Sequence, residues 1–228
     1  MGPNNLRSPT GAKHQVRAGR SGCALLDLRQ RLFEDASQLE RAGDHQKALD
    51  KYKAAVAAAT EDHLSKNVKY ATQEDFPYKP SELGGYDIGD CWFKIAVCTH
   101  AIDGRSTLAE VHALKKAIEF NAATRLKFAH TNLGNAWRQL GEQHQRAMVE
   151  YQAALVLDPN FAVAHLNIAL VLGPILGRWH KACDHLTRAA ELGLTVAKEH
   201  LDEYERMKHE SNLPAPLGLD ELETNLQE

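Results

Sequence analysis

Apolar residues along this chain keep helical spacing. From Ala24 onward they recur three and four positions apart, the period that lines one face of an α-helix. No Pro falls between positions 10 and 76, and Gly43 punctuates what reads as a helix–turn–helix. The stretch 73–90, QEDFPYKPSELGGYDIGD, breaks the pattern with two Pro and three Gly. Helical spacing resumes at Cys91 and persists to about Lys208. SNLPAPLGL then leads into an acidic end with Asp220, Glu221, Glu223 and Glu228. No segment alternates with period two long enough to suggest a strand. The pattern predicts an all-α chain. Its parts are a disordered basic arm over 1–22, a helical domain over 23–209 with an irregular insertion at 73–90, and an acidic tail over 210–228.

The most informative stretch is residues 129–160, AHTNLGNAWRQLGEQHQRAMVEYQAALVLDPN. Leu133 and Trp137 are four apart and share a helix face. Gly134 and Ala147 are small where two antiparallel helices must approach closely, and Trp137 and Tyr151 fill the volume around them. Pro159 cannot continue a helix and ends the unit. A second copy stands 35 residues on. There His165, Ile168-Ala169, Leu172, Ala182, Leu186 and Ala189 take the places of His130, Leu133-Gly134, Trp137, Ala147, Tyr151 and Ala154.

These residues resemble a tetratricopeptide repeat, with its Leu-Gly pair, aromatic, Ala-x3-aromatic and closing Pro. The match has one extra residue between Gly134 and Ala147. An N-terminal copy is readable in Leu32, Ala36, Leu39, Gly43, Ala48, Tyr52 and Ala55, with Asp35 in place of the usual Leu. A degenerate copy starts at Trp92 with Ile95-Ala96. Its second helix, about Thr107–Asn121, fits the small-residue positions poorly, but Thr107 and Glu110 suit a capping box. The resemblance implies an α-solenoid of about four repeats, at 28–60, 89–122, 127–160 and 162–193. The charged helix 195–209 has one apolar face (Ala197, Leu201, Tyr204), as a capping helix requires.

Composition narrows the function. The chain is 43% apolar and 25% charged, ordinary for a folded protein. A net charge of −3 opposes a dedicated nucleic-acid binder. No run of about 20 apolar residues offers a membrane span. Cys23, Cys91, Cys98 and Cys183 form no CxxC pair and read as free thiols of a reducing compartment. The first 22 residues lack the apolar centre of a signal peptide. A cytoplasmic location is expected; the Arg-rich arm leaves an organellar transit peptide as the alternative, although its Pro and Gly oppose the amphipathic helix such a peptide needs.

The family resemblance also locates a binding surface. In such stacks the first helix of each pair lines the concave face. The positions it assigns there are Phe93, Lys94, Lys127, Thr131, Asn132, Asn135, Arg138, Leu166, Asn167 and Leu170. Asn132 and Asn167 are 35 apart and are expected to stack, and tetratricopeptide arrays with asparagines at this place grip the backbone of an extended peptide. The implied function is an adaptor or scaffold that binds an extended or helical segment of a partner protein. An accessory subunit of an enzyme or organellar complex is the alternative. The carboxylate clamp of chaperone adaptors fits less well, because Phe33 and Ser37 occupy the places where it needs Lys and Asn.

Chemistry of other kinds finds little footing. His180, Cys183, Asp184 and His185 cluster, but a closed zinc site needs four ligands and no second pair lies at suitable spacing. His130 and His165 read as packing residues. GxGxxG, GxxxxGK and HExxH are missing, and an open groove does not exclude water. No catalytic residue, metal or cofactor is expected, and no enzyme. Phe76, Tyr78, Tyr86 and Ile88 make the 73–90 segment apolar for a linker and suggest packing across the groove or on the first repeat.

Overall fold

The computed structural model describes residues 18–65, 88–120, 122, 125–141 and 143–209, with side chains from 28 to 59 and from 88 to 206 within those ranges. Most of the expected N-terminal arm, the aromatic positions Phe76, Tyr78 and Tyr86, the Cys23 side chain and the acidic tail lie outside them. Among the described residues there are helices and no strands. They are α1 (Ala18–Arg41), α2 (His45–Ser65), α3 (Ile88–Asp103), α4 (Leu108–Glu119), α5 (Leu126–Gln139), α6 (His144–Leu157), α7 (Ala162–Leu172), α8 (Trp179–Glu191) and α9 (Thr195–His209). Each packs on the helix before it and the helix after it, the one-dimensional stacking of a helical solenoid.

The turn within a pair needs a backbone that L side chains rarely adopt. Gly43 between α1 and α2 has φ 82°, and Gly141 between α5 and α6 has φ 85°. Across three of the pairs, α1–α2, α5–α6 and α7–α8, buried small residues stand on the facing helices. These are Ala36 and Ala48, Gly134 and Ala147, and Ala169 and Ala182. The largest buried side chains, among them Tyr52, Tyr151, Phe33, Leu114 and Leu133, occupy the space around those crossings.

Two boundaries differ from the pattern. α1 begins at Ala18, inside the stretch expected to be a disordered arm. That stretch has no Pro after position 9, and extending an established helix by a residue costs far less than nucleating one. α3 begins at Ile88, so the last positions of the 73–90 segment are helical. Gly89 reads as a turn residue in sequence, but its role is close approach: a Cβ there would lie 2.7 Å from the Ala122 nitrogen. Asp90 then accepts a bond from Arg125 at 2.9 Å, tying the start of α3 to the start of α5.

The capping box at α4 forms by half. Thr107 has an extended backbone and its hydroxyl accepts from the Glu110 N–H at 3.3 Å. The Glu110 carboxylate instead reaches across to His100 Nδ1 at 3.1 Å, joining α3 to α4.

Candidate functional site

The first helices of the pairs, α1, α3, α5 and α7, carry the positions that the sequence assigned to partner contact. At the α1–α3 end, Tyr52 of α2 is fully buried and passes its hydroxyl under the first helix. It donates to Glu40 Oε2 at 2.7 Å and lies 3.1 Å from Ser37 Oγ. Lys94 of α3 donates to the other Glu40 oxygen at 2.8 Å. Burial, with the Glu40 charge beside it, pushes the Tyr52 hydroxyl well above the usual phenol range. Burial likewise pushes the nearby Cys98 thiol up to about 11, which makes it a poor nucleophile. Ser37, Glu40, Arg41, Lys94 and Arg125 surround a small polar hollow over Phe33.

On α5 the same design recurs with other chemistry. Tyr151 of α6 is also fully buried, and it donates to Asn135 Oδ1 at 2.8 Å. Arg138 stands beside it and draws the phenol down, against burial, which raises it more. Arg138 Nε is covered and has no hydrogen-bond partner. On α7, Leu166 and Leu170 are half-buried.

The positions assigned from sequence therefore divide. Asn132, Asn135, Arg138, Leu166 and Leu170 are partly open. Thr131, expected to be exposed, is 2% exposed; its hydroxyl turns back onto the Lys127 carbonyl at 2.9 Å, which satisfies it inside the stack. Asn167, expected to stack with Asn132 on the open face, is 7% exposed because α7 is hemmed in by α5, α6 and α8. Its Nδ2 has no partner. Phe93 is buried in the core. Lys94 is held by Glu40, and Lys127 is held by Asp158 while its ammonium lies over the rings of Phe128 and Phe161. These two lysines fasten neighbouring helices together. At the places that a carboxylate clamp would use, Phe33 packs edge-on against Tyr52 and Ser37 bonds to it.

No family model and no curated protein sequence matches the chain. Solved structures do. One is a crystal structure of MamA, 18% identical, with a TM-score of 0.54 over 80% of this chain and 89% of that one. The chain has a helical-repeat fold. No helix among the described residues is long and apolar enough to cross a membrane. Among the same residues no group of three His, Cys, Asp or Glu side chains could hold a metal ion.

Sequence reasoning missed Glu40, Arg41 and Arg125. Glu40 and Lys94 are joined across 54 positions, and no spacing rule relates them. The available signal was narrower: a Tyr at the aromatic place of the second helix needs a hydroxyl partner on the first.

Proposed function

We propose that this chain is a non-catalytic scaffold of the tetratricopeptide kind, which binds an extended segment of a partner protein along the face formed by α5 and α7. The observation that carries the reading is the composition of that strip. Asn132, Asn135 and Arg138 offer hydrogen-bonding groups beside the half-buried Leu166 and Leu170, and no carboxylate stands among them. Arg138 Nε is a donor without an acceptor, and an unpaired covered donor is unfavourable by about 1–3 kcal/mol. The carbonyls of a peptide laid along the strip would supply acceptors, and Leu166 and Leu170 would take its apolar side chains. A chaperone-tail clamp is disfavoured, because Phe33 and Ser37, at the places where it needs Lys and Asn, are both engaged with Tyr52.

A random peptide library displayed on phage, selected on the full chain, tests this. Selected peptides should lose roughly tenfold or more in affinity for the Asn132→Ala and Arg138→Ala chains, the size of one or two lost hydrogen bonds. Peptides that bind both variants as well as the parent would place recognition elsewhere.

A further inference from the structure

α6 is apolar on two sides. Ala147, Tyr151 and Ala154, four and then three apart, are fully buried and form its packed face. A helix packed on one side is ordinarily polar on the other. Here Arg146 is followed by Val149, Ala153 and Val156, which keep the three- and four-residue spacing of a second face. Val149 is 47% exposed and Val156 is 83% exposed.

Arg146 opens this stripe and stands beside a second cation. Its guanidinium lies 5.0 Å from the centre of the Trp137 ring, and Lys115 Nζ of α4 lies 5.2 Å from the same centre. The two charges are therefore no more than about 10 Å apart, near the screening length of about 8 Å at physiological salt. A ring face attracts cations through its quadrupole but carries no net charge, so it holds both and neutralises neither. Among the described residues neither Lys115 nor Arg146 has a hydrogen bond or an ion pair. The carboxylates of α4 and α6 are occupied elsewhere: Glu110 faces His100, Glu119 holds Lys116, and Glu150 faces His130. Uncompensated positive charge thus adjoins bare aliphatic surface.

We propose that Lys115, Arg146 and the Val149–Val156 stripe dock an amphipathic helix of a partner protein, with its carboxylates on the two cations and its aliphatic side chains on the valines. At 1.5 Å per residue the stripe is about 15 Å long, the reach of roughly three turns of such a helix. The N–H groups of both cations are free to form charge-assisted hydrogen bonds to carboxylates. A membrane surface fits less well, because the stripe lacks the Trp, Phe and Leu that anchor interfacial helices. The surface lies apart from the α5–α7 strip, and the proposal does not depend on peptide binding there.

A phage-displayed library of helical peptides, about 15–20 residues long so that each can hold a helix, tests it when selected on the full chain and counter-selected on Val156→Asp. Recovered peptides should carry Asp or Glu at one end and aliphatic residues three and four apart. Their affinity should fall at least roughly tenfold for the double variant Lys115→Gln with Arg146→Gln, and should be unchanged for Asn132→Ala. Val156 is so exposed that its replacement should leave the fold intact, as far-ultraviolet circular dichroism would check, and it keeps the test valid if losing both cations disturbs Trp137. Failure to recover any peptide that separates the parent from Val156→Asp would overturn the proposal. So would peptides indifferent to the double variant. Binding of the parent, but not of Val156→Asp, to vesicles of anionic lipid would overturn it in favour of a membrane, and self-association lost in Val156→Asp would overturn it in favour of a second copy.

Discussion

The α1–α2 and α5–α6 pairs solve one packing problem with different surroundings. Each pairs a fully buried tyrosine, Tyr52 or Tyr151, with a buried small residue at the same register of the partner helix, Ala36 or Gly134. Each then sends the hydroxyl to a polar side chain on that helix. Around Tyr52 the partners are Ser37 and Glu40, and Lys94 closes the network from the next pair. Around Tyr151 the partner is Asn135, with Arg138 beside it. The buried half of the repeat is thus constant, while the polar partner of the hydroxyl changes along the stack, from a Glu40–Lys94 ion pair to Asn135 with Arg138 beside it. One part of the motif specifies the fold, and the other is free to specify what is bound.

The small residue should show the largest effect. A Cβ at Gly134 would lie 2.5 Å from a Tyr151 ring carbon, and that ring is enclosed. Gly134→Ala gains about 1 kcal/mol of helix propensity but incurs up to about 3 kcal/mol of overpacking, a net loss near 2 kcal/mol. Ala36→Gly in the first pair loses about 1 kcal/mol of propensity and roughly another 0.8 for the buried methyl. The same exchange is therefore unfavourable in both directions, and urea unfolding of the two chains would measure it. A more stable Gly134→Ala chain would mean that the Tyr151 ring has room to move, and the comparison between the pairs would fail.

Removing the hydroxyls separates the two networks with a smaller effect. Tyr151→Phe gives up one neutral bond, about 1 kcal/mol, and leaves Asn135 facing solvent on one side. Tyr52→Phe gives up a bond to a carboxylate, about 1.5–3 kcal/mol before solvent access is counted, and Lys94 remains to hold Glu40. The urea midpoint should fall further for Tyr52→Phe. Equal losses would show that the Glu40 charge is already neutralised by Lys94, and that the first network is no stronger than the second.

The sequence made the constant half of the motif readable and left the variable half obscure, for physical reasons. Leu133, Gly134, Ala147 and Tyr151 recur at fixed spacing because helix crossings repeat, so periodicity and residue size reveal them. Exposure along the first helices depends on how far the next helix covers a position. Asn132 and Asn167 share a register, yet α7 is enclosed on three sides and Asn167 is covered. Thr131 was misjudged because a hydroxyl can satisfy itself within its own helix. Lys94 and Lys127 looked like ligand charges and are interhelical ties, which no local pattern distinguishes. Gly89 looked like a loop residue because a glycine chosen for close approach is identical in sequence to one chosen for a turn.

A smaller contrast separates the last two pairs. His130 and His165 hold the same place in their repeats, 35 residues apart, and so do the residues they face, Glu150 and His185. His130 Nδ1 lies 2.7 Å from a Glu150 oxygen, whereas His165 Nδ1 lies 2.9 Å from His185 Nδ1. His165 Nε2 is directed at the Pro159 carbonyl at 3.1 Å and so donates there, which leaves its Nδ1 to face His185 Nδ1 as the acceptor. Burial, and then the neighbouring His165, hold the His185 pKa below the usual 6.5, with Asp184 opposing weakly. The folded chain thus resists a proton that the unfolded chain accepts below about pH 6.5. This contribution to stability is complete above that pH and is lost as the pH falls toward the lower folded value. Thermal unfolding from pH 7.5 to 5 should show a modest acid-side decline, reduced in His185→Glu, which copies the His130–Glu150 pairing into the last repeat. A decline of the same size in parent and variant would remove the histidine pair as its cause.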